Sequence, residues 1–161
     1  MLGMGKNPRR ALQFFFSLTT IVLLLGACSG ASGSPTSDPC SAQDWSIDFT
    51  RSGGFAGRTR SLHLLSSGAL TASEPEQNLE VRSEVSSDDL AHIGQLLHQA
   101  CPFPAASEAP QSCADCFSYS LQVEMGGQTY LAQATDMNLG GLSPLMGALN
   151  SLLDAALTGQ P

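Results

Sequence analysis

The sequence is poor in basic residues and in charge of either sign. Lysine and arginine number 7 against 14 acidic residues, which gives a net charge of −7, and charged residues make up only 13% of the chain. A surface of this sign repels nucleic-acid phosphates and anionic lipid headgroups, because both are negatively charged. The composition therefore argues against a nucleic-acid-binding protein.

Recognisable catalytic motifs are also missing. The chain has no His-Glu-x-x-His helix, no Gly-x-Ser-x-Gly elbow and no paired carboxylates in a recognisable frame. The glycine-rich run at 53–57 leads into a predicted strand, whereas phosphate-binding loops lead into a helix. The sequence predicts a protein that is not an enzyme and that holds no metal or cofactor.

The first 27 residues have the pattern of an export leader. Three basic residues precede an apolar stretch at 11–24, which is shorter than the roughly 20 residues of a membrane-spanning helix. This order is typical of a secretory signal peptide. It ends in Leu25-Gly26-Ala27-Cys28, which resembles a bacterial lipobox. We therefore expect Cys28 to be acylated and to become the first residue of the mature protein.

An acylated Cys28 predicts a lipid-anchored, extracytoplasmic protein on a bacterial cell membrane or outer membrane. The acyl chains would hold the protein there, since each methylene buried in the bilayer contributes about 0.8 kcal/mol to the free energy of membrane binding. Residues 28–39 are rich in serine, glycine and proline and are predicted to be a flexible tether. From Cys28 onwards the chain keeps four arginines against all fourteen acidic residues, a net charge of −10, and no lysine.

The stretch 45–65 predicts two strands joined by a turn. Trp45, Ile47 and Phe49 alternate with polar residues, as in a strand with one buried face. Three glycines between 52 and 57 interrupt the alternation, which returns weakly after Arg58. Glycine adopts backbone angles closed to other residues, so this interruption indicates a tight turn.

Further hairpins are predicted on either side of one helix. We expect strands near 69–71, 79–85, 117–125 and 128–134, with a loop at 73–78. Gly126-Gly127 has the composition of a two-residue turn with positive φ at both positions, and that turn places Val123 opposite Tyr130.

Two amphipathic helices complete the predicted fold. One opens at 86–89, where a serine can cap the free N–H groups, and ends before Pro102. The other is expected to be capped by Ser143, with Pro144 in its first turn. The fold class predicted is α+β, one domain at 40–158 in which an antiparallel sheet of hairpins carries two helices on one face.

Four cysteines besides Cys28 predict two disulfides in an exported domain. The pairing we favour is Cys40–Cys101 with Cys113–Cys116. The first of these would close a long loop, and such a crosslink contributes about 2 to 4 kcal/mol. Two alternatives stay open. Cys113 and Cys116 could form a redox pair, although a strand rather than a helix follows them.

The second alternative is a zinc site. His98 and Cys101, followed by Cys113 and Cys116, have the spacing of zinc ligands. An oxidising compartment disfavours it, because thiols there form disulfides.

The run Phe49-Thr50-Arg51-Ser52-Gly53-Gly54-Phe55-Ala56-Gly57 resembles the signature of the emfourin family. These are small bacterial proteins named for an inhibitor of protealysin, a thermolysin-like zinc metallopeptidase. The resemblance covers about 45–157 and includes Asp115, the segment 117–123 and Pro144-Leu145. It implies a proteinaceous inhibitor of such a peptidase. The alternative is a non-enzymatic binding or structural lipoprotein of the cell envelope without a protease target.

The partner-binding surface is expected on the glycine-rich turn. It comprises Arg51, Ser52, Gly53, Gly54, Phe55, Ala56, Gly57 and Arg58. Aromatic residues and arginines are the usual anchors of protein interfaces, and Arg51, Arg58 and Arg60 would give this end a positive field. Phe55 has two interpretations: an exposed anchor, or a plug folded back into the core.

Overall fold

The computed structural model describes residues 38–103 and 115–159. The predictions for the leader, Cys28, the tether up to residue 37 and Cys113 lie outside these ranges. The described elements are β1 (Trp45–Gly53), β2 (Arg58–Leu65), β3 (Ala69–Glu74), β4 (Leu79–Glu84), α1 (Ser87–Ala100), β5 (Phe117–Met125), β6 (Gln128–Thr135) and α2 (Ser143–Thr158). Short 3-10 turns occupy Pro39–Ser41, Pro75–Gln77 and Gly140–Leu142.

The six strands form one antiparallel sheet in the order β4-β3-β2-β1-β5-β6. Strands β1 to β4 follow one another as hairpins, and β5 then returns to the free side of β1. Val123 lies opposite Tyr130 and Leu121 opposite Ala132, as the Gly126-Gly127 turn predicts. The α+β class and the hairpin sheet are confirmed.

One face of the sheet carries the core. Leu62, Phe49 and Leu121 lie side by side on adjacent strands, and each is at most 1% exposed. Buried residues of both helices belong to the same cluster: Ile93, Leu96 and Leu97 from α1, and Leu145, Met146, Leu149 and Leu153 from α2. Both helices therefore cover the same face, as predicted. Each buried large apolar side chain contributes about 1.5 to 3 kcal/mol.

The described core lies within one compact unit, Ser37–Pro161. We therefore expect residues 37–161 to fold without the preceding segment. In the part of this unit that the structure describes, neither helix combines the length and hydropathy needed to cross a bilayer.

The opposite face of the sheet is polar and open to water, which an antiparallel sheet tolerates. Asp48 and His63 are cross-strand neighbours there, and Nδ1 of His63 lies 2.7 Å from Oδ1 of Asp48. Sequence spacing does not reveal this partner of His63, because strand register creates the contact.

Two local predictions are corrected. Strand β3 continues to Glu74, where a loop was expected, because the Glu74 side chain is buried and accepts hydrogen bonds from arginines of β2. Helix α2 begins at Ser143 itself, and no side chain caps it. The turn Gly140–Leu142 leads into the helix, so the buried Leu142 rather than Ser143 occupies the capping position. The other helix is capped as predicted, with the Ser86 hydroxyl accepting the Asp89 N–H.

The disulfide Cys40–Cys101 is present and joins the turn before β1 to the end of α1. His98 reinforces this junction, with Nδ1 2.6 Å from the carbonyl oxygen of Cys40. Because the sulfur of Cys101 is bonded to Cys40, it is not a zinc ligand. Cys116 is also disulfide-bonded. Among the described residues no three metal-binding side chains come together.

Candidate functional site

The connection between β1 and β2 is a tight turn that we name the Phe55 turn, residues 54–57. It follows the last β1–β2 pair, Gly53 with Arg58, and the Gly57 N–H donates to the Gly54 carbonyl oxygen at 3.0 Å. The Phe55 side chain is 100% exposed. The interpretation of Phe55 as a core plug is therefore wrong.

Two glycines before Phe55 are required by close packing. A Cβ at Gly53 would lie 2.6 Å from the Cys116 carbonyl oxygen, and one at Gly54 would lie 2.7 Å from the Phe117 ring. Both residues also have positive φ, which other residues rarely adopt. The Gly54 N–H donates to the Cys116 carbonyl oxygen at 3.3 Å. These contacts fix the turn against the start of β5.

Arg51 points away from solvent and binds helix α2. Its guanidinium donates to both carboxylate oxygens of Asp154, at 2.7 and 3.1 Å, and to the Asn150 side chain at 3.0 Å. It also lies over the Phe117 ring, 5.1 Å from the ring centre. The Arg51 side chain is only 12% exposed. It therefore joins β1, β5 and α2 directly beneath the turn.

A buried carboxylate binds the other two arginines. Glu74 is 2% exposed and accepts from Arg58 at 3.1 Å and from Arg60 at 2.9 Å. Arg60 also donates to Asp154 at 2.9 Å. Arg51, Arg58, Arg60, Glu74 and Asp154 thus form one connected network, which we name the arginine cluster.

The arginine cluster bears on the positive field that was predicted around the Phe55 turn. Glu74 and Asp154 pair with its three arginines, and the Glu76 carboxylate lies nearby, accepting the Thr59 N–H at 3.0 Å. These three carboxylates balance the three guanidinium charges. The prediction of a positive field at the turn is therefore wrong. Arg51 and Arg60 join the sheet to helix α2, and Arg58 binds Glu74 of β3.

Hydrogen bonding favours the ionised form of two acidic residues in this region, Asp154 and Glu76. Hydrogen bonds from Arg51, followed by the charges of Arg51 and Arg60, lower the pKa of Asp154. Backbone N–H groups, its own and that of Thr59, lower the pKa of Glu76. Charge-assisted bonds to arginine favour the carboxylate form.

Asp136 makes a second set of polar contacts near Phe117. Asp136 accepts the Tyr119 hydroxyl at 2.6 Å and the Phe117 N–H at 2.9 Å. Burial, followed by this bond to Asp136, raises the pKa of Tyr119 to about 12. The protonated Tyr119 hydroxyl donates this hydrogen bond, which joins β5 to the residue that follows β6.

A cavity of about 220 Å³ lies between the turn and β5. Its lining comprises Arg51, Gly53, Gly54, Phe55, Ala56, Arg58, Arg60 and Phe117. Of the predicted partner-binding residues, Phe55, Ala56, Gly57 and Arg58 are exposed, whereas Arg51, Ser52, Gly53 and Gly54 are partly covered. The surface open to a partner is thus the second half of the predicted stretch.

Sequence reasoning missed the residues that support the turn, namely Glu74, Asn150 and Asp154. Asp154 carries the only charge within α2, a helix of 16 residues. An isolated acidic residue in an otherwise uncharged amphipathic helix is the sequence signal that could have indicated a cationic partner elsewhere in the fold.

No protein-family model matches the chain, and no curated protein matches it. The relation to the emfourin family therefore stays a prediction that rests on the residues quoted for it.

The arginine cluster predicts acid sensitivity. Because its folded-state pKa is lowered from 3.8, ionised Asp154 stabilises the fold above that pH, and the contribution is lost as the pH falls through the lowered value. We expect the Asp154→Asn variant to unfold at a lower temperature than the wild type at pH 7. The difference should shrink below pH 3.8. A difference in melting temperature that stays constant across this range would contradict the assignment.

Proposed function

We propose that the Phe55 turn is a protein-binding loop, and that the protein is a lipid-anchored, extracytoplasmic inhibitor of a thermolysin-like metallopeptidase. One observation carries the proposal: the Phe55 ring is fully exposed on a turn whose backbone is fixed from below. A phenylalanine side chain presents about 150 to 250 Å² of largely apolar surface. Covering that surface with a partner would be strongly favourable.

The fixed backbone matters for affinity. A loop that is ordered before binding loses little conformational entropy on binding. The Phe55 turn meets this condition through the Gly54 bond to Cys116, the packing of Gly53 and the Arg58 bond to Glu74. The aromatic side chain is then the natural anchor, as in other protein interfaces.

The shape of the turn suits a peptidase cleft. The neighbours of Phe55 in the turn are Gly54, Ala56 and Gly57, so little side-chain bulk prevents the backbone from entering a groove. Phe55 can then fill an apolar subsite as a substrate side chain does. Strands β1 and β2 hold both ends of the turn together through the Gly53–Arg58 pair. The metallopeptidase target itself comes from the resemblance to emfourins.

The described chain begins at the end of the sheet opposite the Phe55 turn. Pro39 packs against Gly126, in the turn at the far end of β5, and β1 begins near that end at Trp45. Strand β1 has nine residues and so spans about 30 Å. The first described residues and the Phe55 turn are therefore about one strand length apart.

Inhibition by the domain tests the proposal. We expect residues 37–161 to inhibit a thermolysin-like metallopeptidase. The Phe55→Ala substitution should weaken inhibition by about 2 kcal/mol or more, roughly 30-fold, because it removes the central anchor. Its melting temperature should be unchanged, since the ring contacts no core. Met137→Ala is the matched control, because Met137 is also well exposed, at 70%, and lies outside the turn.

Three outcomes would count against parts of the proposal. No inhibition by the wild type would reject the peptidase target. Capture of a different envelope protein, lost in Phe55→Ala and kept in Met137→Ala, would then favour the binding lipoprotein. Equal inhibition by Phe55→Ala and the wild type would reject the turn as the binding surface.

Lipidation has its own test. We expect the full-length protein to partition into the detergent phase and the Cys28→Ala variant to lose that behaviour or to remain unprocessed, since only an acylated cysteine supplies the anchor. Unchanged partitioning and normal processing of the variant would contradict the assignment of Cys28.

A further inference from the structure

The ion pairs of the arginine cluster contain more guanidinium groups than carboxylates. Arg58 and Arg60 both bind Glu74. Arg51 and Arg60 both bind Asp154. Three positive charges are thus bonded to two negative charges, which leaves room in the cluster for one more carboxylate.

The third carboxylate of the region, Glu76, does not fill this place. It is exposed, and it accepts hydrogen bonds from backbone N–H groups, its own and that of Thr59, rather than from an arginine. Water and salt screen the attraction between an exposed carboxylate and a nearby guanidinium. A carboxylate that displaced water beside the arginines would interact with them more strongly.

Arg58 holds the unused hydrogen-bond donors. Its Nη1 donates to Glu74 at 3.1 Å, and within the described part of the chain neither its Nε nor its Nη2 has a partner. The side chain is 48% exposed, so these donors are open to a ligand. Nε and Nη2 lie on one edge of the guanidinium, and a planar edge of this kind matches the two oxygens of a carboxylate.

The cavity beside the Phe55 turn combines these donors with apolar walls. All charged residues of its lining are arginines, and the carboxylates that they bind lie outside the lining. The rings of Phe55 and Phe117 supply the apolar part of the wall. Such a surface suits an acidic side chain, whose methylene groups can contact the rings while its carboxylate reaches Arg58.

The size of the cavity indicates a side chain rather than a free small molecule. Its volume is about 220 Å³, below the roughly 300 to 1,000 Å³ of pockets that bind small molecules. Phe55 forms part of its wall and is also the anchor proposed above for a partner protein. A partner that covers Phe55 therefore covers the cavity as well.

We propose that this cavity receives an aspartate or glutamate carboxylate of the protein bound by the Phe55 turn, and that Arg58 binds it through Nε and Nη2. The inference rests on the proposed function, because it concerns the same partner. It adds that the partner carries an acidic residue beside the apolar subsite filled by Phe55. A partner without this residue would leave the Arg58 donors unpaired in the interface, which selects against it.

NMR titration of residues 37–161 tests the acidic contact without a peptidase. The probes are N-acetyl-aspartate N-methylamide and its asparagine counterpart, which has the same shape but no charge. Molecules of this size typically bind with dissociation constants of about 1 mM or weaker, so concentrations up to about 100 mM at constant ionic strength are suitable. We expect saturable shifts of the Arg58 Nε–H signal and the Gly54 and Ala56 amides. The aspartate probe should bind about tenfold tighter, the effect of one charge-assisted hydrogen bond.

Arg58→Gln isolates the contribution of the guanidinium. It should abolish the preference for aspartate, because glutamine has neither the charge nor the planar fork. The variant should still fold, since Glu74 keeps its hydrogen bonds from Arg60 and Gln77, and its melting temperature checks this. Arg82→Gln is the matched control, because it removes the same charge from an arginine of β4 that is 79% exposed. It should keep the preference.

The comparison of the two probes in the wild type needs no variant. Equal binding of both probes, or no saturable shift with aspartate, would overturn the acidic contact. So would a preference that Arg58→Gln retains or that Arg82→Gln also loses. The inhibition assay with Phe55→Ala decides the proposed function separately. Inhibition without a preference for aspartate would reject the acidic contact alone, whereas a preference without inhibition would reject the peptidase target alone.

Discussion

Arg60 binds two carboxylates that come from different layers of the fold, and the end of the domain beneath the Phe55 turn depends on this contact. Glu74 belongs to the sheet and Asp154 to helix α2. Glu74 is almost fully buried, and a buried carboxylate without its partners typically costs about 3 to 5 kcal/mol. The arginines are therefore needed for the sheet to accept this residue at all. Once present, they also hold the helix against the last apolar row of the core.

The arginine cluster supports the backbone of the Phe55 turn and does not involve the Phe55 side chain. Arg51 positions Phe117, and Phe117 with Cys116 forms the surface on which Gly53 and Gly54 rest. The residues that look most suited to binding in sequence, the arginines, are thus largely occupied within the protein. Phe55 has no such internal role, because its side chain is fully exposed. On the function proposed above, recognition would rest mainly with an apolar side chain on a fixed backbone, because the arginines nearby are already paired with carboxylates.

Much of the sheet could be predicted from the sequence, because the alternation of apolar and polar residues and the two-glycine turn each involve only a few neighbouring residues. Ile47, Phe49 and the Val123–Tyr130 pairing are examples. The Arg51–Asp154 contact joins residues 103 positions apart, and no local pattern encodes that distance. The same holds for β3, which extends to Glu74 only because distant packing buries that carboxylate. The position of the Phe55 turn likewise depends on the start of β5, because Cys116 and Phe117 contact Gly53 and Gly54.

The most direct test of this account is the backbone mobility of the Phe55 turn, measured as ¹⁵N order parameters of Phe55 and Ala56 in residues 37–161. If the arginine cluster fixes the turn, the wild type should show values near those of rigid backbone, about 0.85. Asp154→Asn, which removes a carboxylate bound by Arg51 and Arg60, should lower them. Values below about 0.6 in the wild type would mean that the turn is already flexible. That result, or equal values in both proteins, would contradict the claim that the cluster prepares the turn for binding.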